Sequence, residues 1–165
     1  MSDPSRLGLV NYHATSASDV IAKLRRELQR IEDAGDLEAE RDHVINAFWT
    51  AWHVHKWMWD AINGKPDLKQ AVLEYRGIAD YQIDNAVAFG EALASRFVPL
   101  KICRQIATSS RYVNVSPTLP ETSLSISMKP TPTVVILGKP ISATSLLMEI
   151  DDYWVAMILA CRIEG

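Results

Sequence analysis

The sequence predicts a mainly α-helical bundle of four to five helices, with a small β-hairpin inserted before the C-terminal helix. Three observations predict it. Apolar residues recur at helical spacing through most of residues 18–112 and again over 142–162. Between these regions the pattern changes: prolines at 117, 120, 130, 132 and 140 punctuate short runs, of which 123-SLSISMK-129 alternates and 133-TVVIL-137 is β-branched. A length of 165 residues with 48% apolar and 22% charged content suits one domain with its own core, and argues against wholesale disorder or a fibrous fold. The expected division is an N-terminal arm over 1–15 and a single helical-bundle domain over 16–165, with the hairpin at about 113–141.

Residues 1–15 carry no period, although Leu7, Leu9, Val10 and Tyr12 could dock on a surface. The first helix is expected over 18–35, where Val20, Leu24, Leu28 and Ile31 share a face, Ser18 can cap and Gly35 can terminate. A long second helix starts near Asp36 and runs to Ile62, closed by Asn63-Gly64, with Asp36, Glu38 and Glu40 at the positive end of its dipole. Pro66 and Asp67 can open a short helix through Tyr75 that breaks at Gly77. The next helix, 80–97, places Ile83, Val87, Leu93 and Phe97 on one face, with Gly90 weakening it by about 1 kcal/mol. Pro99 opens 100-LKICRQIATSSRY-112, whose buried side is Leu100, Cys103, Ile106 and Ala107. Ser142 can cap the last helix, which carries a broad stripe of Leu146, Leu147, Ile150, Tyr153, Trp154, Met157 and Cys161.

A net charge of −3 supplies no global attraction to nucleic acid or anionic lipid, so any such binding must be local. The N-terminus lacks the charged start and apolar run of a signal peptide, and no segment approaches the roughly 20 apolar residues of a membrane span, so a cytoplasmic protein without a membrane partner is expected. Cys103 and Cys161 sit in helical patterns and read as small buried residues. No cofactor is implied.

Chemistry could reside in two stretches. The first, 47-AFWTAWHVHKWMWDAIN-63, holds four of the five tryptophans. At about 100° per residue, Ile45, Phe48, Trp52, Trp59 and Ile62 form one arc, flanked by Ala51, His55 and Met58; this is the core face. His53 and His55 lie about 200° apart and cannot share a metal as an i, i+4 pair could, so no metal site is expected. Asn46, His53 and Asp60, seven residues apart, form a polar strip with Asp42, bordered by Trp49, Lys56 and Trp57. Such a strip can be a groove, because aromatic walls lower the local dielectric around a histidine. It can equally be a solvated face on which His53 pairs with Asp60 or stacks on Trp57.

The second stretch gathers Lys101, Arg104, Thr108, Arg111 and Tyr112 on the outer side of the helix over 100–112, within a region whose basic residues face a single acid, Glu121. Arginine beside a hydroxyl and a tyrosine suits phosphate contact and base stacking, so RNA or a nucleotide phosphate at the Arg104 face is one expected partner. The alternative is a solvated helix face.

The segment NAFWTAWHVHKW resembles the FFVTAYHLxDW signature, and KICRQIATSSRYV the CRDIANxSKHF signature, of a family of uncharacterised bacterial and phage-associated helical proteins. Phe48, Thr50, Ala51, Trp52, His53 and Trp57 carry the first match; Cys103, Arg104, Ile106, Ala107, Ser110 and Arg111 carry the second. Such proteins distantly resemble the higher eukaryote and prokaryote nucleotide-binding (HEPN) superfamily, helical bundles that often dimerise and whose active members cut RNA without metal using an arginine and a histidine on one helix. The resemblance puts Arg104 in the arginine role and position 112 in the histidine role. Here Tyr112 replaces the histidine, Thr108 an asparagine and Gln105 an aspartate. With a pKa near 10, tyrosine is a poor base near neutrality. His53 could supply that role only if its helix packs with its polar strip facing Arg104.

The expected function is a non-enzymatic binding or interaction module, homodimeric. The alternatives are a HEPN-like metal-independent ribonuclease or RNA- or nucleotide-binding toxin-like protein, with His53 and Arg104 catalytic and Asn46, Asp60 and Tyr112 orienting, and a structural phage or mobile-element protein whose tryptophans only pack.

Overall fold

The structure, a computed structural model, describes residues 14–79, 83–108 and 124–163. The expected arm lies almost wholly outside these residues, as do the start of the helix placed at 80, Arg111, Tyr112 and the first part of the region assigned to the hairpin. The fold is mainly α, with a small antiparallel sheet just before the last helix, as the sequence predicts. Six helices are described, more than the four to five expected: α1 (Ala17–Asp33), α2 (Leu37–Ile62), α3 (Pro66–Tyr75), α4 (Ala86–Arg96), α5 (Val98–Thr108) and α6 (Ala143–Cys161). Helix α2 is the hub against which the other five pack.

Local chemistry sets the helix starts. Ser16 rather than Ser18 caps α1, its hydroxyl accepting from the Asp19 amide, while the Asp19 carboxylate accepts from the amide and hydroxyl of Thr15. Asp36 caps α2 through the Ala39 amide. Helix α4 starts later than its period suggests, because the Asn85 side chain accepts from the Ala88 amide and sets the first turn there. Val87 consequently points to solvent instead of joining the core. Pro99 sits in the first turn of α5, where its missing N–H costs nothing.

The hairpin gains a third strand: β1 (Leu124–Ser127), β2 (Thr133–Ile136) and β3 (Lys139–Ser142) form an antiparallel sheet in that order. Leu137 and Gly138 both have positive φ, 48° and 76°, the requirement of the tight two-residue turn joining β2 to β3. The periodicity of 133–142 hides this strand, since Leu137 is a poor advertisement for such a turn and Pro140 argues against a strand. Pro140 is tolerated because β3 is an edge.

The core arc expected on α2 is buried at Phe48, Ala51, Trp52, His55, Met58, Trp59 and Ile62, while Ile45 is half-buried. Helix α6 docks by burying Trp154 completely, its indole N–H donating to the Ala51 carbonyl of α2 at 3.0 Å. Arg25 of α1 ties the same helix down through three hydrogen bonds to Asp151.

Gly90 has a role that helix propensity alone does not convey. A Cβ there would stand 2.7 Å from the Cδ2 of His55 and 3.0 Å from its Cγ, so α4 reaches α2 only because position 90 has no side chain. The His55 ring cannot easily yield, being held by the Trp52 carbonyl and against the Trp52 ring. Gly90→Ala should therefore destabilise the protein by about 1–3 kcal/mol despite the propensity gain. Denaturant unfolding checks this, and in a cycle with His55→Ala the two costs should be markedly less than additive. Additive costs would show that His55 is not the obstacle.

Candidate functional site

The strip expected on α2 divides. His53, Trp49 and Trp57 line a groove of about 320 Å³ between α1 and α2, completed by Thr50, by Val20 and Lys23 of α1, and by Ala14. Asn46 and Asp60 are exposed on α2 but do not line it. Trp49 is 52% exposed, an unusual placement for the largest side chain. His53 stacks on it, ring centroids 5.4 Å apart and 30° between planes, rather than pairing with Asp60 or stacking on Trp57. The Nδ1 of His53 lies 2.7 Å from the Trp49 carbonyl. A carbonyl only accepts, so Nδ1 carries the proton and Nε2 is the acceptor of the neutral ring. The groove thus offers two indoles, an imidazole, a hydroxyl and one ammonium.

His55 faces the other way. It is 2% exposed, donates through Nδ1 to the Trp52 carbonyl, and burial depresses its pKa to about 4. It is a neutral core residue and plays no part in the groove.

Arg104 belongs to a different neighbourhood. Its Nε donates to Glu91 of α4, and Thr108 donates its hydroxyl to the Arg104 carbonyl. Lys101 is exposed on the same helix, and Arg111 and Tyr112 lie outside the described residues. Helix α4, which supplies Glu91, approaches α2 on the His55 side through Gly90, about 200° round the helix from His53. Among the described residues the partners of His53 and of Arg104 have none in common. The facing arrangement that an acid–base role for His53 beside Arg104 requires finds no support in these contacts.

Comparison with protein-family models, curated proteins and solved structures gives no match. The resemblance described above therefore rests on its two sequence motifs.

Two features escaped the sequence reading. Lys23 reaches the groove from α1, which only helix pairing reveals. Glu27 is 3% exposed within the α1–α2 contact, accepting from Arg30 at 2.7 Å and from Nδ1 of His43 at 3.0 Å. A signal for it existed: an acid on the stripe of Val20, Leu24 and Ile31 must find partners where it is buried. Buried Cys103 donates its thiol to the Phe48 carbonyl, and burial raises its pKa, which makes it a packing group rather than a nucleophile. Among the described residues no group of three metal-ligating side chains occurs, and no helix is long and apolar enough to cross a membrane.

Proposed function

We propose that this chain is a binding module that pairs with itself and recognises a planar ring carrying an anionic group in the α1–α2 groove. The observation that carries the reading is the exposed Trp49–His53 stack, walled by Trp57 and faced by Lys23. Indole faces stack on any unpaired nucleobase, and an ammonium at the rim can meet the attached phosphate. Single-stranded RNA is the ligand class in which both groups recur. With a net charge of −3, affinity must come from such local contacts and should weaken as salt rises.

The ribonuclease reading has less support, because it needs His53 and Arg104 on one phosphate while Arg104 is engaged by Glu91. One experiment separates the two. Titrating a labelled single-stranded RNA oligonucleotide into the protein should give binding that Trp49→Ala weakens by about tenfold or more, and that Lys23→Ala weakens with a shallower salt dependence. Arg104→Ala should leave affinity unchanged. Affinity indifferent to both Trp49→Ala and Lys23→Ala, or no binding at all, would overturn the groove as an RNA site. Cleavage that disappears with His53→Ala or Arg104→Ala would instead establish the metal-independent ribonuclease.

A further inference from the structure

Helix α6 is apolar around more of its circumference than docking requires. Leu146, Leu147, Ile150, Tyr153, Trp154 and Met157 are buried, yet on the opposite side Leu159 is 72% exposed, Met148 is exposed and Val155 is half-buried. A helix apolar all round is ordinarily covered on every side. The outward residues indicate what covers this one. Asp152, Val155 and Leu159 follow at intervals of three and four, the spacing of a coiled-coil seam, within an arc of about 60°, and exposed Arg162, the left-handed C-cap of the helix, follows three residues beyond Leu159.

In order they read acid, apolar, apolar, base. That order is its own complement under a two-fold axis, because an antiparallel copy centred at the level of Met157 sets Val155 against the partner's Leu159 and Asp152 against the partner's Arg162, twice over. A parallel copy would oppose Asp152 to itself. Asp152 and Arg162 are both exposed, and Arg25, the cation near Asp152 on α1, is already committed to Asp151. Arg162 is held one turn beyond Leu159 by its amide, which donates to the Leu159 carbonyl. Exposed Ala156, beside the seam, lets the helix axes approach to roughly 8 Å.

We infer that the outer face of α6 is the self-association surface of this protein, pairing antiparallel with α6 of a second copy through Asp152, Val155, Leu159 and Arg162. This deepens the self-pairing in the proposed function and is independent of the groove. Sedimentation velocity over a range of concentrations tests it on the full chain. The wild type should show a concentration-dependent dimer, and Asp152→Arg and Arg162→Asp should each raise its dissociation constant by about tenfold or more. The double variant D152R/R162D should restore it to near the wild-type value, since the swapped charges again oppose one another. Both substitutions are at exposed sites, and all three variants should leave far-UV circular dichroism unchanged. A wild-type dimer indifferent to both single reversals would overturn the surface while leaving self-pairing intact. A wild type monomeric at every concentration would overturn both.

Discussion

Trp154→Ala should reduce unfolding free energy by about 3–5 kcal/mol, the largest effect expected of any single substitution here. Trp154 is fully buried, its ring meets Tyr153 edge-on, and its indole N–H is bonded to the Ala51 carbonyl on the central helix. Alanine would leave a cavity that α1, α2 and α6 cannot all close, since Arg25 and Asp151 hold α6 at a fixed distance from α1. Trp154→Phe should cost roughly half as much, because it keeps most of the ring and loses the hydrogen bond. Urea unfolding followed by circular dichroism checks both values. An alanine cost below about 1 kcal/mol would show that α6 does not dock on α2 through this side chain.

Acid should destabilise the protein through His55. Its pKa is about 4 in the folded chain because burial disfavours the cation, against an ordinary value of 6.5. The unfolded chain therefore binds a proton that the folded chain refuses between those two values. His55 contributes its full stabilisation above pH 6.5, and that contribution falls as pH drops to 4, by roughly 3 kcal/mol in all. His55→Phe, which cannot titrate, should flatten the stability profile across this window relative to the wild type, a difference in slope approaching one proton. Parallel profiles for the two proteins would show that His55 charges without leaving the core. Because its ring also sets the α2–α4 distance against Gly90, acid unfolding should begin by separating α4 from the central helix.

Helical periodicity made the α2 arc legible, since a ring of large apolar side chains recurring at 3.6 residues has one economical burial. The same reasoning separated His53 from His55, a distinction the contacts bear out: one ring lines a groove and the other fills the core. Composition was less informative about Gly90, which reads as a propensity cost and is in fact a point of close approach. Propensity is a property of one helix; close approach is a property of two.

Residue order by itself determined the mainly helical class, the position of the sheet before the last helix, the core face of α2 and the cap of α6 at Ser142. These follow from local patterns whose period and polarity are written in the chain. Only the tertiary structure decided that Trp49, His53 and Trp57 meet Lys23 rather than Arg104, that Glu27 is buried between Arg30 and His43, and that among the described residues one face of α6 is left uncovered. Each of these depends on which side of α2 a second helix occupies. That choice is made by packing over the whole core, and the repeat of a single helix does not record it.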